Sequence, residues 1–119
     1  METGRFEDEM RLGILSYQGG RHDYAIEHFL YAEVAAGCVM QSHPEHDIRQ
    51  EFRRYVRLAQ GYRLQAYSMK MMEEPWRRYE IAAAMDDIIR GEPDCSNPRY
   101  AEITHAFLDL RERFEGSQG

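Results

Sequence analysis

The chain has 119 residues, a formal net charge of -6, 43% apolar and 30% charged residues, values that suit one folded domain able to bury a core of its own. Its acidic balance, with a sequence pI near 5.3, repels polyanions at long range and argues against nucleic acid or an anionic bilayer as the main partner. No run approaches the roughly 18 apolar residues of a membrane helix. The two cysteines, Cys38 and Cys95, form no CxxC pattern, and the acidic start METGRFEDEM lacks an apolar leader core, so a reduced, cytoplasmic setting is expected.

No segment alternates with a two-residue period, and five stretches show the three-and-four spacing of amphipathic helices, so the expected fold class is all-α. The first helix is expected from about Gly4 to Gln18, with Phe6, Met10, Gly13, Ile14 and Tyr17 along one face. Gly19-Gly20 ends it. A phosphate-cradling loop would need a strand before the glycines and a GxGxxG or GxxxxGK[ST] pattern, and neither is present, so the doublet reads as a turn between helices. The second helix runs from about Arg21 to Ala36 with Ala25, Phe29, Ala32 and Ala36 on its inner face. These small residues let a neighbouring helix approach closely. Gly37 is expected as a left-handed cap, with GCVMQSHPEH as the following loop.

The third helix, from about His46 to Met72, carries Ile48, Phe52, Tyr55, Ala59, Tyr62, Ala66 and Met69 alternately four and three residues apart. Pro75 suits the first position of a fourth helix, which reaches about Arg90 with Trp76, Tyr79, Ala83 and Ile89 as its apolar residues. Gly91 and Pro93 stop it. A fifth is expected from Asn97 as cap and Pro98 as first residue, with Tyr100, Ile103, Phe107, Leu110 and Phe114 as its stripe and residues 115–119 fraying. No composition shift divides the chain, so one domain spans residues 1–119.

In the order Leu12-Gly13, Tyr17, Gly20, Ala25, Phe29, Ala32, the stretch Phe6 to Ala36 resembles one tetratricopeptide (TPR) repeat. Gly61 and the run AAAMDDIIRGEP echo a second, enlarged hairpin, and the fifth helix would then be a capping helix. The proline expected after the first repeat is absent, and Gly37 stands near its place. The resemblance implies a non-catalytic protein-binding module, adaptor or chaperone-like. The lysine and asparagine with which some TPR domains grip a C-terminal carboxylate have Met10 and Ile14 at their positions here, so an apolar or helical segment of a partner is the expected guest. The residues expected to meet it are Met10, Ile14, Tyr17, Leu58, Tyr62 and Gln65. The competing reading of these residues is plain core.

Arg49, Arg53 and Arg57, every four residues beside Arg54, form a stripe that suits an acidic partner or an internally paired face. Cys38, Met40, His43, His46 and Asp47 are the one local collection of soft and imidazole donors, and they carry the alternative of a metal-binding enzyme or sensor. Their spacing matches no structural zinc pattern, and no metal or other cofactor is expected. Glu102 and His105 make a single ExxH where a di-iron bundle needs two. His22, Asp23, Glu27 and His28 read as the polar face of the second helix. No nucleophile–base arrangement can be read from the residues, so no catalysis is expected. A homodimer through the apolar fifth helix is the remaining expectation.

Overall fold

A computed structural model describes residues 2–91, with side-chain positions from residue 4 onward. Four α-helices follow one another: α1 (Glu2–Gln18), α2 (His22–Ser42), α3 (His46–Glu73) and, after a 3-10 turn at Pro75–Arg77, α4 (Arg78–Arg90). The all-α expectation holds, with no strand among the described residues. The count differs from the expected five, because the fifth helix falls on residues that lie outside those described.

α2 is the central rod. α1 and α3 each pack along it and scarcely touch one another, while α4 lies against α3. The core is built from α1 residues Phe6 and Met10, the small row Ala25, Ala32 and Ala36 with Phe29 and Met40 on α2, and Phe52, Val56, Ala59 and Ala66 on α3. Phe29 is fully buried, a burial that stabilises the fold by about 1.5–3 kcal/mol. Its ring lies where α1 has no side chain: a Cβ added at Gly13 would stand 2.5 Å from Phe29 Cε1. Gly13 is therefore what lets α1 and α2 close together. Gly61, which echoes it in sequence, is exposed and has nothing within 4 Å of a Cβ, so it does no comparable work.

The glycine doublet closes α1 as a Schellman motif. Arg21 N donates to Ser16 O at 2.8 Å and Gly20 N to Tyr17 O at 3.1 Å, which satisfies carbonyls that the end of a helix leaves open. Only Gly20 takes the left-handed conformation, at φ 76°. The chain then re-enters a helix at His22, and no ligand-binding loop forms.

Two boundaries need correction. α2 does not end at Ala36, and Gly37 is not a left-handed cap: the helix continues through a buried Gly37 to Ser42. The reason is apolar continuity, since Met40 extends the row of Ala25, Phe29, Ala32 and Ala36 and is itself buried. Ser42 Oγ donates back to Cys38 O, and His43 N to Val39 O. Most of the expected Cys38–Asp47 loop is thus helix, and only residues 43–45 connect α2 to α3. The fourth helix begins with a 3-10 turn, and its α-helical part starts at Arg78.

Polar side chains fasten the rods at defined points. At one end His22 Nδ1 lies 2.5 Å from Glu73 Oε1, and Lys70 Nζ lies 3.1 Å from Asp23 Oδ1 while also pairing with Glu74. In the middle, Arg63 Nη1 on α3 meets Glu33 Oε2 on α2 at 2.9 Å, both side chains almost wholly removed from solvent. Burial pushes the Glu33 carboxyl above its ordinary range, opposed by the Arg63 charge and a Gln60 hydrogen bond. Gln60 also donates from Nε2 to Gly91 O at 3.2 Å, tying the end of α4 to α3.

Candidate protein-docking groove

Because α1 and α3 both rest on α2 and meet each other only sparsely, as where Phe6 stacks on Tyr55, the space between their outward flanks is open. Phe6, Met10 and Ile14 recur every four residues on α1, and Leu58 and Tyr62 do so on α3, so each set lines one side of the gap. Together with Leu15 they form a groove of about 380 Å³, with Glu7 and Arg11 on its rim. Its floor is aromatic. Phe6 stacks on Tyr55 with ring centroids 4.8 Å apart and planes inclined by 18°, Tyr55 meets Phe52 edge-on at 5.1 Å, and Tyr62 leans on Phe29 at 5.3 Å. Offset and edge contacts of this kind hold rings in place, so the walls are preformed.

Four of the expected binding residues, Met10, Ile14, Leu58 and Tyr62, converge on this groove. They do not contribute alike. Met10 is a core side chain showing only its edge, Ile14 and Tyr62 are half-buried, and Leu58, 49% exposed, is open to a visitor. Tyr17 is half-buried and edge-on to His22 at 5.2 Å, and Gln65 is exposed further along α3; neither lines the groove. Leu15, 58% exposed, was missing from the sequence-based set because it lies beside the Met10–Ile14 row rather than on it.

The arginines face elsewhere. Arg49, Arg53 and Arg57 follow the Gln60 side of α3, turned away from Leu58 and Tyr62. Arg49 Nη1 donates to the carbonyls of His43 at 2.8 Å and Pro44 at 3.1 Å, so it braces the α2–α3 turn. Arg57 Nη1 donates to Gln60 Oε1 at 3.2 Å. These contacts are internal pairing, and they leave the stripe outside the groove.

The donor-rich stretch is dispersed by the helix that runs through it. Cys38 and Met40 are on α2, Met40 within the core, while His43 stands in the connection and His46 and Asp47 open α3. His43 Nδ1 accepts from Glu45 N at 3.1 Å. Among the described residues no three His, Cys, Asp or Glu side chains come together in a way that could hold a metal ion. Cys95, Glu102 and His105 lie outside the described residues. No described helix is long and apolar enough to cross a membrane.

The Glu33–Arg63 pair escaped the sequence reading, although its signal was present. Glu33 stands four residues after Phe29 and three before Ala36, and Arg63 stands four after Ala59 and three before Ala66. Each charge sits on its helix's apolar row, with opposite sign to the other. On the outer side of the α1–α2 pair, His28 Nδ1 lies 2.8 Å from Oε2 of the buried Glu9.

No protein-family model, curated protein or solved structure matches this chain.

Proposed function

We propose that the chain is a non-catalytic protein-interaction module, adaptor or chaperone-like, whose α1–α3 groove receives an apolar, helical segment of a partner protein. The observation that carries this reading is the convergence of Met10, Ile14, Leu58 and Tyr62 on one open apolar groove. Its volume suits a few large apolar side chains presented from one face of a helix, and the opposite charges of Glu7 and Arg11 at the rim suit the polar flank of such a guest. A reducing, cytoplasmic compartment suits its two cysteines, which form no CxxC pattern. The metal-dependent alternative has no comparable support, given Met40 in the core.

The test is capture from extract of the native host with wild type, Leu58→Glu and Leu15→Glu. Both leucines are substantially exposed, so a charge there should leave the fold's thermal unfolding within about 0.5 kcal/mol of wild type. A partner held by wild type and lost by both variants is the expected result. Equal retention by all three removes the groove from the function.

A further inference from the structure

We propose that the guest of the α1–α3 groove is a helix running antiparallel to both walls, in the direction of α2, with an acidic residue followed four positions later by a basic one on its α1-facing flank. The inference rests on the groove reading above and adds the direction, register and charge order of the bound segment.

The two walls point the same way. α1 turns back into α2, so Tyr17 meets the His22 ring while Glu9, further from the turn, meets His28. α2 turns back into α3 likewise, with Glu33 beside Arg63 and His22, at the far end, beside Glu73. Two reversals leave α1 and α3 parallel. Phe6 stacks on Tyr55, and equal rise per residue then brings Met10 level with Leu58 and Ile14 level with Tyr62, each to within one residue.

α1 and α3 each pack along α2 and touch one another little, as helices at diagonal corners of a four-helix bundle do. The groove is lined from α1 and α3, so it opens on the side away from α2, where a further helix would meet both walls at once. In an up-and-down bundle that helix is antiparallel to its two neighbours, which sets its positive N-terminal pole towards the negative C-terminal ends of both. From Phe6 to Leu15 the wall runs about 14 Å, a length matched by apolar anchors at i, i+4 and i+7 of the guest.

The rim fixes the order of charge. Glu7 and Arg11 stand four residues apart on α1 and are both exposed. Arg11 holds Asp8 at 2.5 Å, with side chains 70% and 41% exposed; a pair so open to water contributes little and leaves the guanidinium able to serve a guest. Read from its N-terminus, an antiparallel guest passes Arg11 first and Glu7 second, so it needs an acid and then, four residues on, a base. That order also stabilises the guest's own helix, and the reverse order does so less. A parallel guest would need the reverse. Charge order and helix polarity therefore favour the same direction.

The test uses two peptides of about 18 residues, long enough to form a helix, both with leucines at i, i+4 and i+7. One carries Glu and then Lys four residues on along its flank, and the other has these two exchanged. By fluorescence anisotropy with the full chain, the Glu-first peptide should bind several-fold tighter, and Leu58→Glu should abolish binding of both. The exchange Glu7→Arg/Arg11→Glu should turn the preference to the Lys-first peptide, which a difference in the helicity of the free peptides would not do. A nitroxide on the C-terminus of the bound peptide should broaden the amide signals of Phe6 and Glu7, and one on its N-terminus those of Leu15 and Tyr62. Tighter binding of the Lys-first peptide to wild type, the opposite broadening pattern, binding that survives Leu58→Glu, or no binding of either peptide overturns the proposal. The groove's own role is judged separately: a host partner held by wild type and lost by Leu58→Glu and Leu15→Glu keeps that role even where the peptides bind the other way round.

Discussion

Gly13→Ala should destabilise the fold while the same change at Gly61 stabilises it. At Gly13 the new methyl would stand 2.5 and 2.6 Å from Cε1 and Cδ1 of Phe29, about 1 Å inside the favourable carbon–carbon separation of 3.5–4.0 Å. Phe29 cannot swing clear, being fully buried with the Tyr62 ring 5.3 Å away, so α1 must lift from α2. Overpacking of a rigid site costs roughly 3 kcal/mol at the upper end of its range, and the better helix propensity of alanine returns about 1 kcal/mol. The expected net loss is about 2 kcal/mol, or roughly 10 °C in midpoint temperature for a domain of this size. At Gly61 the added methyl meets nothing within 4 Å, so only the propensity term remains, a gain of about 1 kcal/mol. Urea unfolding followed by far-ultraviolet circular dichroism measures both, with unchanged m-values showing that the same structure is lost. A Gly13→Ala chain as stable as wild type would refute the close nesting of α1 and α2 on Phe29.

At the α1–α2 turn, Gly20→Ala forces a side chain into the left-handed region and should cost about 1–2 kcal/mol, whereas at Gly19 the nearest atom to a new Cβ is Leu15 O at 3.4 Å and little should change; thermal unfolding of the two variants compares them. Removing one partner of the buried pair, as in Glu33→Ala, should cost roughly 3–5 kcal/mol, and the double change Glu33→Leu/Arg63→Met should recover most of it, as a double-mutant cycle in urea would show. The pH dependence has a definite sign. Burial raises the folded-state pKa of Glu33 above 4.5, so its contribution to stability is full below that value and is lost as pH rises through the raised one. The unfolding free energy of wild type relative to Glu33→Gln should therefore fall between mildly acidic and neutral pH, and a difference that grows over that interval would contradict the burial of this carboxyl.

How much was legible in the residues depended on whether a local signal agreed with its tertiary setting. The α1 boundary and the role of the doublet were readable because glycine at a helix end has one dominant use, and the hydrogen bonds from Arg21 and Gly20 realise it. Gly37 carried the same local signal and misled, since Met40 gains more by joining the core than the chain gains by turning. The groove was half legible. Met10, Ile14, Leu58 and Tyr62 sit on apolar rows visible in the sequence, but which of them remain open depends on how far α1 stands from α3. That spacing is a three-body property of α1, α2 and α3 with no local signature. Gly61 makes the same point from the other side: a glycine at a matching offset means close approach only where a neighbour such as Phe29 stands opposite.

Since α1 and α3 are each fastened to α2 and hardly to one another, the calibre of the cleft between them is inherited from the alanines at 25, 32 and 36. A bulkier residue at one of these positions would wedge the two walls apart from behind, with no contact to any guest. If the groove takes the helical guest proposed for it, its selectivity would thus be retuned from a helix that the guest never meets.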